Sequence, residues 1–234
     1  MRSHIVLRLA SVSIALAAVP GVAATQQLAG GVIVTPYMGV YVPTNDFAKV
    51  GVTTSGQAVT GNIKHQAALV SGLNLSYWMT DRLGIEGGAA YTKSGVTGSL
   101  LVPSAGGTIQ RNGSQYAHVW LGSAKLMMQL MPRESEFNLR LGVGPAIISR
   151  AGKAYAGNFE GKMTGATDIG AALSLCSRIP VASNIGLRLR AEDYMYSGKL
   201  GYESATTGVD NFKFNSRFQN DLVFSAGLQL LLNK

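Results

Sequence analysis

Cysteine is almost missing from this 234-residue chain: Cys176 stands alone, so no intrachain disulfide can form. It also lies too far into the chain to be the lipid-bearing cysteine of a lipoprotein, and a small half-buried residue is the plainer reading. Charge is scarce too, with 14% of residues charged, and the histidines are His4, His65 and His118 only. No cluster of His, Cys and carboxylate has metal-ligand spacing, so no metal and no other cofactor is expected. No G-x-S-x-G elbow is present, so no catalytic residue is expected either. Long hydrophobic runs are absent: past residue 24 no segment reaches 18 apolar residues, which excludes transmembrane helices. Yet the mean hydropathy is positive, at +0.18. The apolar residues must therefore be distributed in some other pattern.

The first 24 residues, "MRSHIVLRLASVSIALAAVPGVAA", carry Arg2 and Arg8, an apolar centre from Leu9 to Val19, and small residues at Val22 and Ala24. This predicts a cleaved secretory leader over 1–24 and a single domain over 25–234. Its apolar stretch falls short of the roughly 20 residues that cross a bilayer. Losing Arg2 and Arg8 lowers the net charge from +8 to +6.

What is present is alternation. In "NDLVFSAGLQLLLNK" the even positions Leu222, Phe224, Ala226, Leu228, Leu230 and Leu232 are apolar, while Asp221, Ser225, Gly227, Gln229 and Asn233 lie between them. Period two marks a strand with one apolar face, and this strand is longer than the usual 5–6 residues, roughly. Ile185, Leu187, Leu189 and Ala191 likewise alternate with Gly186, Arg188, Arg190 and Glu192. Leu139, Leu141, Val143 and Ile147 alternate with Arg140, Gly142, Gly144 and Ala146.

Turn chemistry breaks these segments at Thr80–Arg82, Pro132–Ser135 and Pro180–Asn184. Polar or glycine-rich stretches at 44–64, 94–113, 150–164 and 197–216 separate the others. The order predicts eight strands, over 31–43, 65–79, 83–95, 114–131, 136–149, 165–179, 185–197 and 217–232. Short and long connections alternate, and both chain ends fall on the short side. This is an all-β fold, an eight-stranded antiparallel up-and-down transmembrane β-barrel with short periplasmic turns and four longer extracellular loops.

A soluble barrel has the same alternation with its apolar face inward. Three features favour lipid. The polar face is rich in Gly, Ala and Ser, which suit a cramped interior; its charges are few and of both signs; and the leader and loop asymmetry match membrane insertion. Charged residues on that inner face are Glu86, Lys125, Arg140, Asp168, Arg188, Arg190, Glu192 and Asp221. They are expected to pair across the lumen and plug it, because an unpaired buried charge is costly.

Beside the long connections lie Lys49, Lys64, Lys93, Arg111, Arg150, Lys153, Lys162, Lys199, Lys213 and Arg217, opposed by few acids. Such a basic rim would meet lipopolysaccharide phosphates in the outer leaflet. Tyr77, Trp78, Tyr91, Tyr116, Trp120, Tyr194, Tyr196 and Phe218 fall near predicted strand ends, where interfacial girdles are built. No aromatic-basic motif for nucleic acid is present.

"VTPYMGVYVPTNDF", "LNLSYWMTDRLGIEGGAAYT", "RLRAEDYMYSG" and "NDLVFSAGLQL" together resemble the small outer-membrane β-barrels of Gram-negative-type bacteria, the group of the outer membrane protein A barrel domain and the opacity adhesins. The resemblance covers nearly all of 31–232 and implies an outer-membrane monomer inserted by the barrel assembly machinery. Members of the group commonly finish on an aromatic residue that resembles a tag for that machinery, whereas the last residues here are Asn233 and Lys234. The expected role is structural or surface-directed, with loops toward an extracellular ligand that the sequence does not identify. The alternatives are a narrow conduit for small or hydrophobic solutes, and a lipid-modifying enzyme built on His118 with Ser114 or Ser123.

Overall fold

The computed structural model describes residues 30–46, 48–54, 57–104, 107–131, 138–152, 154, 161–164, 167–182, 184–198, 201–204, 212–213 and 217–232. The leader over 1–24, the expected Pro132–Ser135 turn, Lys153, Lys199 and Asn233 lie outside them, as do the side chains of Lys49, Arg111, Lys162 and Lys213.

The wall is built from β1 (Val32–Pro43), β4 (Ala68–Trp78), β5 (Leu83–Ser104), β6 (Gly107–Gln129), β7 (Asn138–Ala151), β9 (Thr167–Pro180), β10 (Ile185–Gly198) and β13 (Arg217–Leu231). All neighbours are antiparallel and run β1-β13-β10-β9-β7-β6-β5-β4 back to β1, closing an eight-strand ring. Closure leaves no open edge in the wall, as a barrel in lipid requires. The termini meet where Ile33 pairs with Leu231.

All four expected long loops are partly strand. β2 (Ala48–Thr54) and β3 (Gln57–His65) form a hairpin, and β3 adds to β5 from Thr60↔Leu101 to His65↔Val96. β5 and β6 stay paired out to Ser104↔Gly107. Their Gly-, Thr- and Asn-rich sequences read as loop because no apolar face is needed beyond a bilayer. His65 thus ends β3 instead of opening the next wall strand, which starts at Ala68. β8 (Gly161–Thr164), β11 (Gly201–Ser204) and β12 (Phe212–Lys213) form a separate three-stranded sheet from the other two connections.

The barrel is inverted relative to a soluble protein. Leu75, Ile85, Leu126, Val143, Ile169, Phe224 and Leu228 are exposed on the outside, Ile169 at 80%, while Glu86, Lys125 and Arg188 are each 3% exposed. On β5 this apolar face runs from Leu83 to Tyr91. Eight steps of ~3.3 Å, tilted by ~40°, raise it ~20 Å, close to the ~25 Å apolar band of a membrane barrel.

Inside, space is tight. A Cβ on Gly72 would stand 2.4 Å from the Tyr37 hydroxyl, so the ring lies directly on glycine backbone across the β1–β4 pair Tyr37↔Gly72. Val70, Val96, Val119, Leu121, Ile148 and Val223 pack with Tyr41, Tyr194 and Tyr196 in the outer half of the lumen.

Candidate functional site

The lumen is the candidate site, and alternation aims its side chains. Glu86 on β5, Lys125 on β6 and Arg188, Arg190 and Glu192 on β10 all point inward at mid-height. β5 and β10 stand opposite each other in the ring, yet Glu86 and Arg188 touch across it. Arg188 Nη2 donates to Glu86 Oε1 at 3.1 Å, and Nη1 closes a second bond to Oε2. Lys125 Nζ lies 3.3 Å from Glu86 Oε1 and also pairs with Glu192. Arg190 sits 3.6 Å from Glu86 and 3.1 Å from Glu192.

Neutral groups complete the layer. Ser76 Oγ donates to Glu86 at 2.7 Å, Arg190 donates to Asn74 Oδ1 at 2.9 Å, and Arg188 reaches Cys176 Sγ at 3.2 Å. The Arg190 guanidinium lies 4.4 Å from the Tyr37 ring centroid, the geometry of a cation–π contact. Three cations face two carboxylates here, so the layer keeps one positive charge in excess.

The structure separates the other expected lumen charges into two further layers. Toward the short turns, Arg140 stacks 4.7 Å over the buried Trp78 ring and donates to Asn138 at 3.0 Å. Toward the long connections, Asp221 accepts hydrogen bonds from Tyr41 at 2.8 Å and Tyr196 at 2.7 Å, and Asp168 pairs with Arg150 at 2.8 Å.

Arg150 is a correction. It was expected on the basic rim, but it is buried, and its guanidinium lies 4.7 Å from the Tyr196 ring. The reason is parity: Arg150 shares the even face of β7 with Arg140, Ala146 and Ile148. Arg178 was missed altogether, although it shares the inward face of β9 with Asp168, Ser174 and Cys176. Trp78, Tyr194 and Tyr196 are also inward and buried, so they are not girdle residues. Tyr77, Tyr91, Tyr116, Trp120 and Phe218 do face outward. Of the remaining rim residues with described side chains, Lys64 and Lys93 are exposed and Arg217 is half-buried.

The histidines take structural partners. His65, at the outer end beyond the apolar band, has Nδ1 3.3 Å from Ser94 Oγ, but that hydroxyl donates to the Gln66 carbonyl at 2.7 Å. Burial, then the charge of Arg150, pushes His65 down to about 3, so the ring is neutral at physiological pH. His118 bonds to Tyr91 at 2.5 Å, while Ser123 faces the other way and donates to Glu192 at 3.4 Å. Among the described residues, no group of three or more His, Cys, Asp or Glu could hold a metal.

No family profile matches the sequence, and no curated protein does. Solved structures do. The outer membrane protein OprG of Pseudomonas aeruginosa superposes with a TM-score of 0.64 at 14% identity, covering 90% of this chain and 99% of that one. The outer membrane protein AlkL, solved in lipid bilayers, gives 0.56 at 11% identity, covering 92% and 96%. With the inverted surface and the closed ring, the chain has the fold of the small eight-stranded outer-membrane β-barrels.

Proposed function

We propose that this chain is an outer-membrane barrel with a sealed lumen, whose work is structural and carried out at its outer surface. The observation that carries the reading is the Glu86–Arg188 pair, which joins opposite walls and is locked by Lys125, Arg190 and Glu192. An eight-strand ring leaves room for side chains and little else, and here Trp78 with Arg140 below and Tyr41 with Asp221 above add further layers. In this reading the barrel is a monomer, is inserted by the barrel assembly machinery, and presents its long connections to an extracellular ligand. No catalytic step is assigned to it.

One observation favours a second reading as a conduit for small hydrophobic solutes: the outer half of the lumen is lined by Val70, Val96, Val119, Leu121 and Ile148. Planar bilayers separate the two. The unaltered protein is expected to give no stable conductance step, and Arg188→Gly, which empties the bridge, to give one. A stable step from the unaltered protein would end the sealed-lumen reading. Saturable, protein-dependent uptake of a small apolar fluorophore into vesicles would support the conduit.

A further inference from the structure

On the outside of β5 and β6, where the apolar band ends, the register brings five functional side chains to one patch. Tyr91 pairs with Trp120, Lys93 with His118, and Gly95 with Tyr116. Tyr91, Lys93, Tyr116, His118 and Trp120 all lie on the outward face of their strands. Tyr91 bonds His118 Nδ1 at 2.5 Å and packs on Trp120 with centroids 4.8 Å apart. Lys93 Nζ lies 4.8 Å from the Tyr116 ring centroid.

The patch is held in place. Gly152 has φ of 105°, and a Cβ there would stand 3.0 Å from His118 Cδ2, so glycine lets the end of β7 pass close against the imidazole. The Ala154 amide donates to the Tyr116 carbonyl at 3.3 Å. Tyr91 Oη and His118 Nδ1 share a hydrogen bond, which leaves Nε2 as the ring position for another partner.

Lys93 and His118 face each other directly across the ladder, so an ammonium and an imidazole stand on neighbouring strands at one depth. Among the described residues, no carboxylate pairs with either one. Tyr91 and Trp120 lie one step nearer the membrane than these donors, as in an interfacial belt, and Tyr116 lies one step farther out. The short turns mark the periplasmic end, so the patch sits at headgroup depth in the outer leaflet.

We propose that Lys93 and His118 bind a phosphate of lipid A, the phosphorylated glycolipid base of lipopolysaccharide, with Tyr91 and Trp120 against its upper acyl chains and Tyr116 on the sugar side. Position selects this source: the face meets lipid, at the depth where outer-leaflet lipid A carries its phosphates. The inference depends on the orientation of the barrel in the membrane and is independent of whether the lumen is sealed.

The test titrates folded, detergent-solubilised protein with bisphosphorylated lipid A, dephosphorylated lipid A and phosphatidylglycerol, counting bound lipids by native mass spectrometry. Bisphosphorylated lipid A is expected to bind most tightly. Lys93→Ala should weaken it about fivefold, the effect of one basic residue at an anionic surface. Lys93→Glu should abolish the preference over the dephosphorylated form, and His118→Ala should reduce it. Arg82→Ala, which removes an exposed cation in the short turn at the opposite end of the barrel, should leave binding unchanged. Heat-dependent gel mobility checks that each variant is folded. Equal binding of the phosphorylated and dephosphorylated forms, equal binding of phosphatidylglycerol, or the same loss from Arg82→Ala as from Lys93→Ala would overturn the assignment.

Discussion

Glu86→Ala is expected to destabilise the folded barrel by about 3–5 kcal/mol, the range for removing one partner from a buried ion network. Among the described residues, Glu86 is the one acid that touches Lys125, Arg188 and Arg190 together. Without it, Glu192 alone must balance three cations that are almost wholly removed from water. Urea-induced unfolding in lipid vesicles, followed by tryptophan fluorescence, measures the loss. Glu86→Gln keeps the volume and the hydrogen bond from Ser76 but not the charge, and it should fall between Ala and the parent. Replacing Glu86 and Arg188 together with leucine should cost far less than either single alanine, because a buried pair can be exchanged for apolar groups with little net change. A loss under about 1 kcal/mol for Glu86→Ala would mean that water reaches the network and screens it.

The same network shows what alternation can and cannot tell. That Glu86, Lys125, Arg188, Arg190 and Glu192 point inward follows from period two along each strand, and no structure is needed to see it. That Glu86 meets Arg188, 102 residues away, depends on ring order and on the stagger between strands. Neither is written in the local sequence. Arg150 shows the opposite failure. Its parity on β7 was available, but its place beside a polar stretch made it look like part of a loop. Tyr194 and Tyr196 share the inward parity of Arg190 and Glu192; proximity to a strand end was given more weight than face.

The strand extensions were hidden for a different reason. β2, β3 and the outer parts of β5 and β6 stand beyond the apolar band, where neither face must be apolar. Sequences such as "KVGVTT" and "QAVTGNIKH" therefore lack the signal that marks the wall. The lipid-A patch was half visible. Lys93, Tyr91 and Trp120 could each be placed near a strand end, but their meeting with His118 and Tyr116 rests on the β5–β6 register. The β5–β6 ladder runs far beyond the patch, out to Ser104↔Gly107. Registers are set by turn geometry and facing side chains together, and neither could be read from the glycine-rich 94–113 stretch.

The largest effect on the outer surface is expected from Leu75→Arg. Leu75 is 54% exposed and pairs with Gly87, halfway along the β5 apolar face from Leu83 to Tyr91. An arginine at the bilayer midplane of such a barrel costs about 2–4 kcal/mol, falling to about 0–1 near the interfaces. Leu69→Arg supplies the comparison on the same strand. Leu69 lies beyond Val70, which pairs with Thr92, so it stands near the depth of Lys93 at the outer margin. Unfolding in phosphatidylcholine vesicles should therefore show a large loss for Leu75→Arg and little for Leu69→Arg, though Leu69 is the more exposed of the two. Water contact would reverse that expectation, since an exposed leucine on a soluble barrel exchanges for arginine at almost no cost. The depth dependence, more than either value alone, distinguishes a lipid-facing surface from a hydrated one. Equal and small losses at both positions would place water against the whole outer face.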